Sequence, residues 1–208
     1  MLQDPALHLG LERLDLDLDF VEDTARAVLA LRGKQFGDAA AEVTVAPPAG
    51  AVPFAPQSTL AGSARLDLAS LRLLDEWIGT AALVDGAARA RLALAGTLAQ
   101  PLLTGALEGE GIRLEVPQQG VALRNGRLRA ELTERALELR EFSIAGPSGT
   151  LVATGTLARQ DSGGESQIEW RADALRLFDR PDRRLTLAGS GTVGLSNERI
   201  RVRGTLKA

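Results

Sequence analysis

One pattern constrains this chain more than any other: apolar and polar residues take turns, residue by residue, over stretch after stretch. It is clearest from Arg89 to Val116, RARLALAGTLAQPLLTGALEGEGIRLEV. Leu92, Leu94 and Leu98 share one parity, with Gly96 between them, while Arg89, Arg91 and Thr97 hold the other. Successive side chains of a strand point to opposite faces of its sheet, so this is a strand with one apolar and one polar face. Gln100-Pro101 interrupts it, and Leu103, Gly105 and Leu107 restart it. Glu108-Gly109-Glu110-Gly111 reads as a turn. Ile112, Leu114 and Val116 then alternate with Arg113 and Glu115 as far as Pro117.

The same alternation runs through the rest of the chain. Leu7, Leu9 and Leu11 begin it, and Leu14, Leu16, Leu18 and Phe20 continue it after a slip of phase at Glu12-Arg13, which predicts a bulge or turn. Short strands follow at Ala27–Leu31 and around Glu42–Val45. Residues 46–58, APPAGAVPFAPQS, hold four of the nine prolines and read as a stiff extended loop. That loop divides a β-rich N-terminal part, 1–58, from a larger β region, 59–208. From Ser70 to Ile78 the period changes. Leu71, Leu74, Trp77 and Ile78 fit helical spacing, Ser70 can cap the start, and Gly79 ends it. Asn125-Gly126 reads as a tight hairpin turn, because such turns need φ > 0 at both central residues. A further shift of phase near Arg140-Glu141 predicts another bulge. Clean alternation returns at Leu151–Leu157, Ile168–Ala172, Leu187–Leu195 and Ile200–Leu206. Gly-Thr-Leu recurs at 96–98, 155–157 and 204–206, with unequal intervals of 59 and 49 residues, which fits a meander better than a fixed-period solenoid.

About a dozen strands joined by tight turns make an antiparallel, all-β chain. At about 4.8 Å per strand the sheet would be on the order of 60 Å across. There are no helices to cover its apolar face, so it must fold back as a sandwich, close as a barrel, or curl into a trough. Composition favours the trough: aromatic residues are only 3% of the chain, with no Tyr, so few large rings are available to fill a thick core. Gly96, Gly105, Gly155, Gly189, Gly191 and Gly204 fall on the apolar parity, where they would ease curvature and leave room for a guest.

Other classes fall away. A net charge of −3 with both signs interspersed gives no basic footprint for nucleic acid. Cys is absent, which removes disulfides, thiolate zinc sites and redox pairs. No run approaches the roughly 18 apolar residues of a membrane-spanning helix. The start, MLQDPALHLG, lacks the basic flank and apolar stretch of a signal peptide, leaving a cytosolic protein or a piece of a longer one. Asp15, Asp17 and Asp19 imitate calcium-loop spacing, but Leu16, Leu18 and Phe20 make them the solvated face of a strand. Gly189-Ser-Gly-Thr-Val-Gly194 is formally GxGxxG, yet alternation continues where a dinucleotide site needs a helix. His8 is the only histidine, so the usual base–nucleophile and metal constellations cannot be assembled. The expectation is a protein that is not an enzyme and holds no cofactor or metal.

Three segments resemble a known family. Leu94 to Leu107 resembles a recurrent L-x-G-T-L-x-x-P-x-L-x-G-x-L, and Gly120 to Leu128 resembles the G-V-x-L-x-(N/D)-G-R-L that follows it. Ala174 to Leu206, with its DRPD before two strands, resembles a later segment. In this order they resemble the C-terminal conserved region of the TamB family, translocation and assembly module subunits related to the AsmA-like proteins. The likeness runs from about residue 60 to the end. It implies an open, curled antiparallel trough (a β-taco) with an apolar interior, to which the spacing adds one short helix near 70–78. It also implies an envelope protein of the periplasm, tethered to the inner membrane by a helix and working with a TamA-like outer-membrane barrel in outer-membrane protein and autotransporter assembly and secretion. Phospholipid transport between the membranes is implied too. The anchor and the barrel-contacting C-terminus are expected to lie outside this chain.

Two functions follow. In the first, the apolar face is a lipid conduit. Its lining would be Leu92, Leu94, Leu98, Leu103, Leu107, Ile112, Leu114 and Leu128 in the first half. Leu132, Leu151, Leu157, Ile168, Leu187, Val193, Ile200 and Val202 would continue it. Each CH₂ taken from water is worth about 0.8 kcal/mol, so a lipid tail crosses the periplasm only along such a surface. In the second, exposed strand edges bind unfolded β-barrel clients by strand addition.

Overall fold

The computed structural model describes residues 11–34, 37–50, 52, 54–74, 82–159, 164–180, 183–196 and 199–207. The alternating segments become twelve strands. They are β1 (Leu11–Val21), β2 (Thr24–Gly33), β3 (Gly37–Ala46), β4 (Thr59–Leu68), β5 (Leu83–Gly96) and β6 (Pro101–Val116). β7 (Val121–Leu132), β8 (Ala136–Ala145), β9 (Thr150–Ala158), β10 (Ser166–Arg180), β11 (Arg183–Ser196) and β12 (Arg199–Lys207) follow. They form a single sheet in chain order, β1 to β12, with each neighbouring pair antiparallel. The sheet is not closed: β1 and β12 are its two edges. It is an open trough, so the sandwich and barrel alternatives are set aside. β3 pairs with β4 from Gly37↔Leu68 to Ala46↔Thr59, on either side of the proline-rich loop.

Two expected turns are bulges instead. β6 runs unbroken through Glu108-Gly109-Glu110-Gly111, and its register against β7 shifts between Gly109 and Ile112. β7 likewise runs through Asn125-Gly126, where only Asn125 takes a positive φ, of 55°. A two-residue hairpin turn of type I′ needs positive φ at both positions, and one such residue gives a bulge. The chain actually reverses at Pro117–Gly120, where the Gln119 N–H donates to the Val116 carbonyl at 3.0 Å. The bulges expected near Glu12-Arg13 and Arg140-Glu141 are both present.

These irregularities line up across the sheet. β5 shifts register between Asp85 and Ala87, β6 between Gly109 and Ile112, β7 between Arg124 and Arg127, and β8 between Leu139 and Phe142. β10 adds a shift between Ala172 and Leu175. A bulge bends its strand and steepens the local twist, so a row of them rolls up this end of the sheet. β7 and β10, three strands apart in order, consequently touch.

The glycines on the apolar parity lie where neighbouring backbone comes close. A Cβ on Gly105 would run into the Arg91 carbonyl oxygen, and one on Gly155 into that of Gln167. Gly189, Gly191 and Gly204 meet neighbouring-strand carbonyl oxygens in the same way, and Gly96 meets that of Gln100 across its own turn. The place a Cβ would take is filled by backbone, so these glycines admit close approach of neighbouring chain.

Of the expected helix, the described part is one 3₁₀ turn, Leu71–Leu74. Ser70 Oγ accepts the Arg72 N–H at 3.2 Å, the capping role its position predicts. Residues 75–80, the rest of that segment, lie outside the described residues, as does His8.

Candidate functional site

The register aligns side chains into rows, because directly opposed residues of antiparallel strands project to the same face. One row crosses all twelve strands. It runs Leu14, Leu31, Ala39, Leu66, Ala90 and Leu107 from β1 to β6. It continues Ala130, Leu139, Gly155, Ile168, Val193 and Val202 from β7 to β12. No member carries a polar side-chain atom. The adjacent row, one residue along each strand, belongs to the other face. It runs Asp15, Ala30, Ala40, Arg65, Arg91, Ala106, Glu131, Glu138, Thr156, Gln167, Gly194 and Arg201. The sheet is thus two-faced from edge to edge, and its apolar face is the candidate site.

The polar face is tied by exposed ion pairs. Arg26 reaches Glu42 at 2.8 Å, Arg32 reaches Asp38 at 2.8 Å, and Arg140 bridges Glu131 at 2.8 Å and Glu138 at 2.5 Å. The hydrogen bonds that Arg140 donates to the Glu131 carboxylate hold its guanidinium above its ordinary range. Exposed pairs of this kind stabilise little, but they fix which face meets water.

The apolar face is unevenly covered. Where the bulges roll the sheet, Val121, Leu123, Ile144, Ala172 and Leu175 form a buried cluster, with Leu114, Phe142, Leu151, Trp170 and Leu187 packed against it. Leu175 is only 2% exposed. Towards β1 the same face opens: Leu18 is 57% exposed and Phe20 68%. At β12, Val202 is 66% exposed. The groove therefore has a closed, packed end and an open face at both edge strands.

The residues named from the sequence fall into three places. Leu92, Leu94, Leu103, Leu107, Leu128, Leu132, Leu157, Ile168, Val193, Ile200 and Val202 lie in the apolar rows, each opposite an apolar residue or glycine. Leu114, Leu151 and Leu187 belong to the packing around the cluster, and Ile112 sits between two bulges opposite Gly126. Leu98 lies outside the ladder, in the β5–β6 turn, where its N–H donates to the Ser58 carbonyl at 3.0 Å. The Ala99 N–H donates to the Pro56 carbonyl at 2.9 Å, so the proline-rich loop is held against that turn. The list also starts too late. Leu14, Leu16 and Leu18 of β1, Leu29 and Leu31 of β2, and Leu66 of β4 extend the same rows. Their alternation is legible in the sequence and places them on the same apolar face. Asp15 stands with Arg13, 2.6 Å away, on the polar face, and the GxGxxG-like segment lies inside β11.

A family model decides the relationship. The model described as TamB, N-terminal domain, matches residues 1–108, just over half of the 208-residue chain. The chain belongs to the TamB family. No curated protein and no solved structure matches it significantly. The matched stretch spans β1 to the first half of β6, so it takes in the N-terminal strands that precede the segments carrying the resemblance. It corrects the expected placement: the match is to the family's N-terminal domain, and it lends nothing to the C-terminal conserved region. TamB-type translocation and assembly proteins are proteins of the cell envelope, and this chain is TamB-like in that sense.

Proposed function

We propose that this TamB-like trough is a periplasmic lipid conduit, passing phospholipid along its apolar face between inner and outer membranes. One observation supports the reading above others: an unbroken apolar row crosses twelve strands and is only partly covered. An acyl chain lying on such a row stays out of water at every step, so movement along it is nearly level in free energy. A headgroup stays in water at the open seam of the groove. The larger role, supporting outer-membrane protein and autotransporter assembly with a TamA-like barrel, belongs to the same proposal, as do the tether to the inner membrane and the absence of a catalytic step. A second reading rests on the two unpaired edges, which can take an added strand from an unfolded β-barrel client.

The test separates the faces of one strand. A photo-reactive residue replaces Leu94 in one variant and Arg91 in another. The first faces the groove and the second the polar surface. With phospholipid vesicles, crosslinking to lipid at position 94 and not at 91 supports the conduit. Equal crosslinking at both positions, or none, overturns it. Leu94→Asp is the matching functional variant, since Leu94 lies outside the packed cluster and its loss leaves that cluster intact.

A further inference from the structure

The rim of the trough built by the β3–β4 loop and the β5–β6 turn carries no charged side chain. From Val43 to Ala64, and again from Leu92 to Leu107, no residue is charged, in a chain that is 25% charged. Strands β3 and β4 pair as far as Ala46↔Thr59, so a hairpin loop of about 2–5 residues would join them. Residues 47–58 take its place, with four prolines. The base of this loop is fixed: Ala55 and Ser58 are buried, the Ser58 N–H donates to the Ala55 carbonyl at 2.8 Å, and Thr59 bridges to Thr97. Its tip stands in the open. Val52 is 72% exposed, and Phe54 is 55% exposed at a φ of 61°. Bulky residues rarely adopt that left-handed backbone, so strain is borne here to hold an aromatic ring outward. We infer that this rim seats in the headgroup–acyl boundary of a phospholipid bilayer, and that acyl chains pass there between bilayer and groove.

Three features favour a bilayer as the occupant. First, this rim has no ionised group to desolvate, whereas the turns on either side of it do: Glu22 and Asp23 follow β1, and Glu134 and Arg135 follow β7. Second, few backbone donors are left over. An N–H that loses water at a bilayer without gaining a partner is costly. Prolines have none, and the N–H groups of Ala55, Ser58, Thr97, Leu98, Ala99 and Gln100 all donate to carbonyls of this loop and turn. Third, the rim continues the groove. Val43, Gly62, Leu94 and Leu103 stand in one row of the apolar face, and Val45 stands opposite Leu60 nearer the loop. An acyl chain meets no charge between the loop tip and that row. The hand-over of chains rests on the conduit reading, and the bilayer contact does not. Pro53-Phe-Ala-Pro56 has the spacing of a polyproline ligand, but the φ of Phe54 lies outside the polyproline II helix, so a domain that reads such helices does not fit.

The chain has no cysteine, so a single dye can be attached where it is wanted. The full chain with Phe54→Cys and, separately, with Gln119→Cys in the β6–β7 turn at the opposite rim is labelled with an environment-sensitive dye and mixed with phosphatidylcholine vesicles. A blue shift at position 54 with none at 119 supports the contact. No shift at 54, or equal shifts at both, overturns it. Vesicle flotation of the unlabelled chain gives the second readout. Val52→Asp with Phe54→Asp should weaken binding about tenfold or more, and aspartate tolerates the left-handed backbone. Phe54→Gly relieves the strain, so it should leave the melting temperature unchanged or higher and still weaken binding. Binding undiminished in both variants overturns the proposal. Binding should also persist at high salt and without anionic lipid, because no charge takes part. Binding that needs anionic vesicles and fades with salt overturns this rim as the contact. Lipid crosslinking at position 94 separates the contact from the conduit. If it persists while a dye at 54 stays in water, the conduit stands and this rim falls. A shift at 54 without crosslinking at 94 supports the bilayer contact and overturns the hand-over.

Discussion

Ile112 of β6 stands directly opposite Gly126 of β7 and fills the place where a side chain on that glycine would go. A Cβ built on Gly126 would lie 2.7 Å from the Ile112 Cβ and 3.0 Å from its carbonyl oxygen. The Ile112 Cδ1 also reaches within 2.9 Å of a Cβ built on Gly109. One isoleucine therefore occupies two glycine positions where the bulges of β6 and β7 meet. Gly126→Ala should destabilise by about 1–3 kcal/mol, the range for overpacking. Combining it with Ile112→Ala should cost about the sum of the single changes, because the Ile112 Cβ and carbonyl oxygen that crowd position 126 are both kept in alanine. Denaturant unfolding of the four proteins of this cycle is the check.

Packing is concentrated at the rolled end, so stability should be too. Leu175→Ala removes a side chain that is 2% exposed, and it should cost about 2–5 kcal/mol. Leu18→Ala changes the same residue type at 57% exposure and should shift stability by about 0.5 kcal/mol or less. Amide exchange should follow the same division, slow around Leu123 and Ile144 and fast along β1. Equal costs at the two positions would mean that the open face is covered in solution.

The period-two pattern was enough to read the strands, their antiparallel order and the two faces, because register slips flip every side chain and are costly when one face is apolar. It also revealed the bulges at Glu12-Arg13 and Arg140-Glu141 as shifts of phase. It misread Asn125-Gly126 and Glu108–Gly111, since turn-type residues serve bulges as readily as hairpins. Deciding between them depends on whether the neighbouring strand continues past, which local sequence does not record. The groove list suffered in a related way. Leu92 and Leu107 lie in the apolar rows, whereas Leu114 and Leu187 pack beside a cluster whose existence depends on β7 meeting β10. Contact between strands three apart follows from accumulated twist, and no single segment encodes it.

Gly155 and Gly111 separate two reasons for needing glycine. Gly111 has φ 61° and open space around its missing Cβ. Alanine there should cost about 1–2 kcal/mol, the penalty of the left-handed conformation alone. Gly155 has φ 156°, and a Cβ on it would strike the Gln167 carbonyl oxygen and come within 2.7 Å of the Ile168 Cα. Gly155→Ala should cost more than Gly111→Ala, by about 1 kcal/mol or more, because conformation and backbone contact both oppose it. Thermal unfolding of the two variants orders them, and the reverse order would mean that β9 and β10 part easily at this point.

Asp85 gives the fold an acid-sensitive point beside the first of the bulges. Its carboxylate accepts the Gly86 N–H at 2.8 Å and the Ser70 hydroxyl at 3.1 Å, with Arg72 at 3.4 Å. The Gly86 hydrogen bond holds its pKa below the ordinary carboxylate range, helped by Ser70, Arg72 and Arg113 and opposed by partial burial. A group with a depressed folded pKa stabilises fully above its unfolded value, about 3.9, and loses that contribution as pH falls through the folded value. Asp85→Asn should therefore cost about 1 kcal/mol or less at neutral pH, a figure limited by solvent screening of a side chain one-third exposed. The difference from wild type should shrink below about pH 4. Urea unfolding of both proteins at pH 7 and pH 3 reads this directly. A gap that stays constant with pH would mean that the geometry around Ser70 and Gly86 matters and the charge does not.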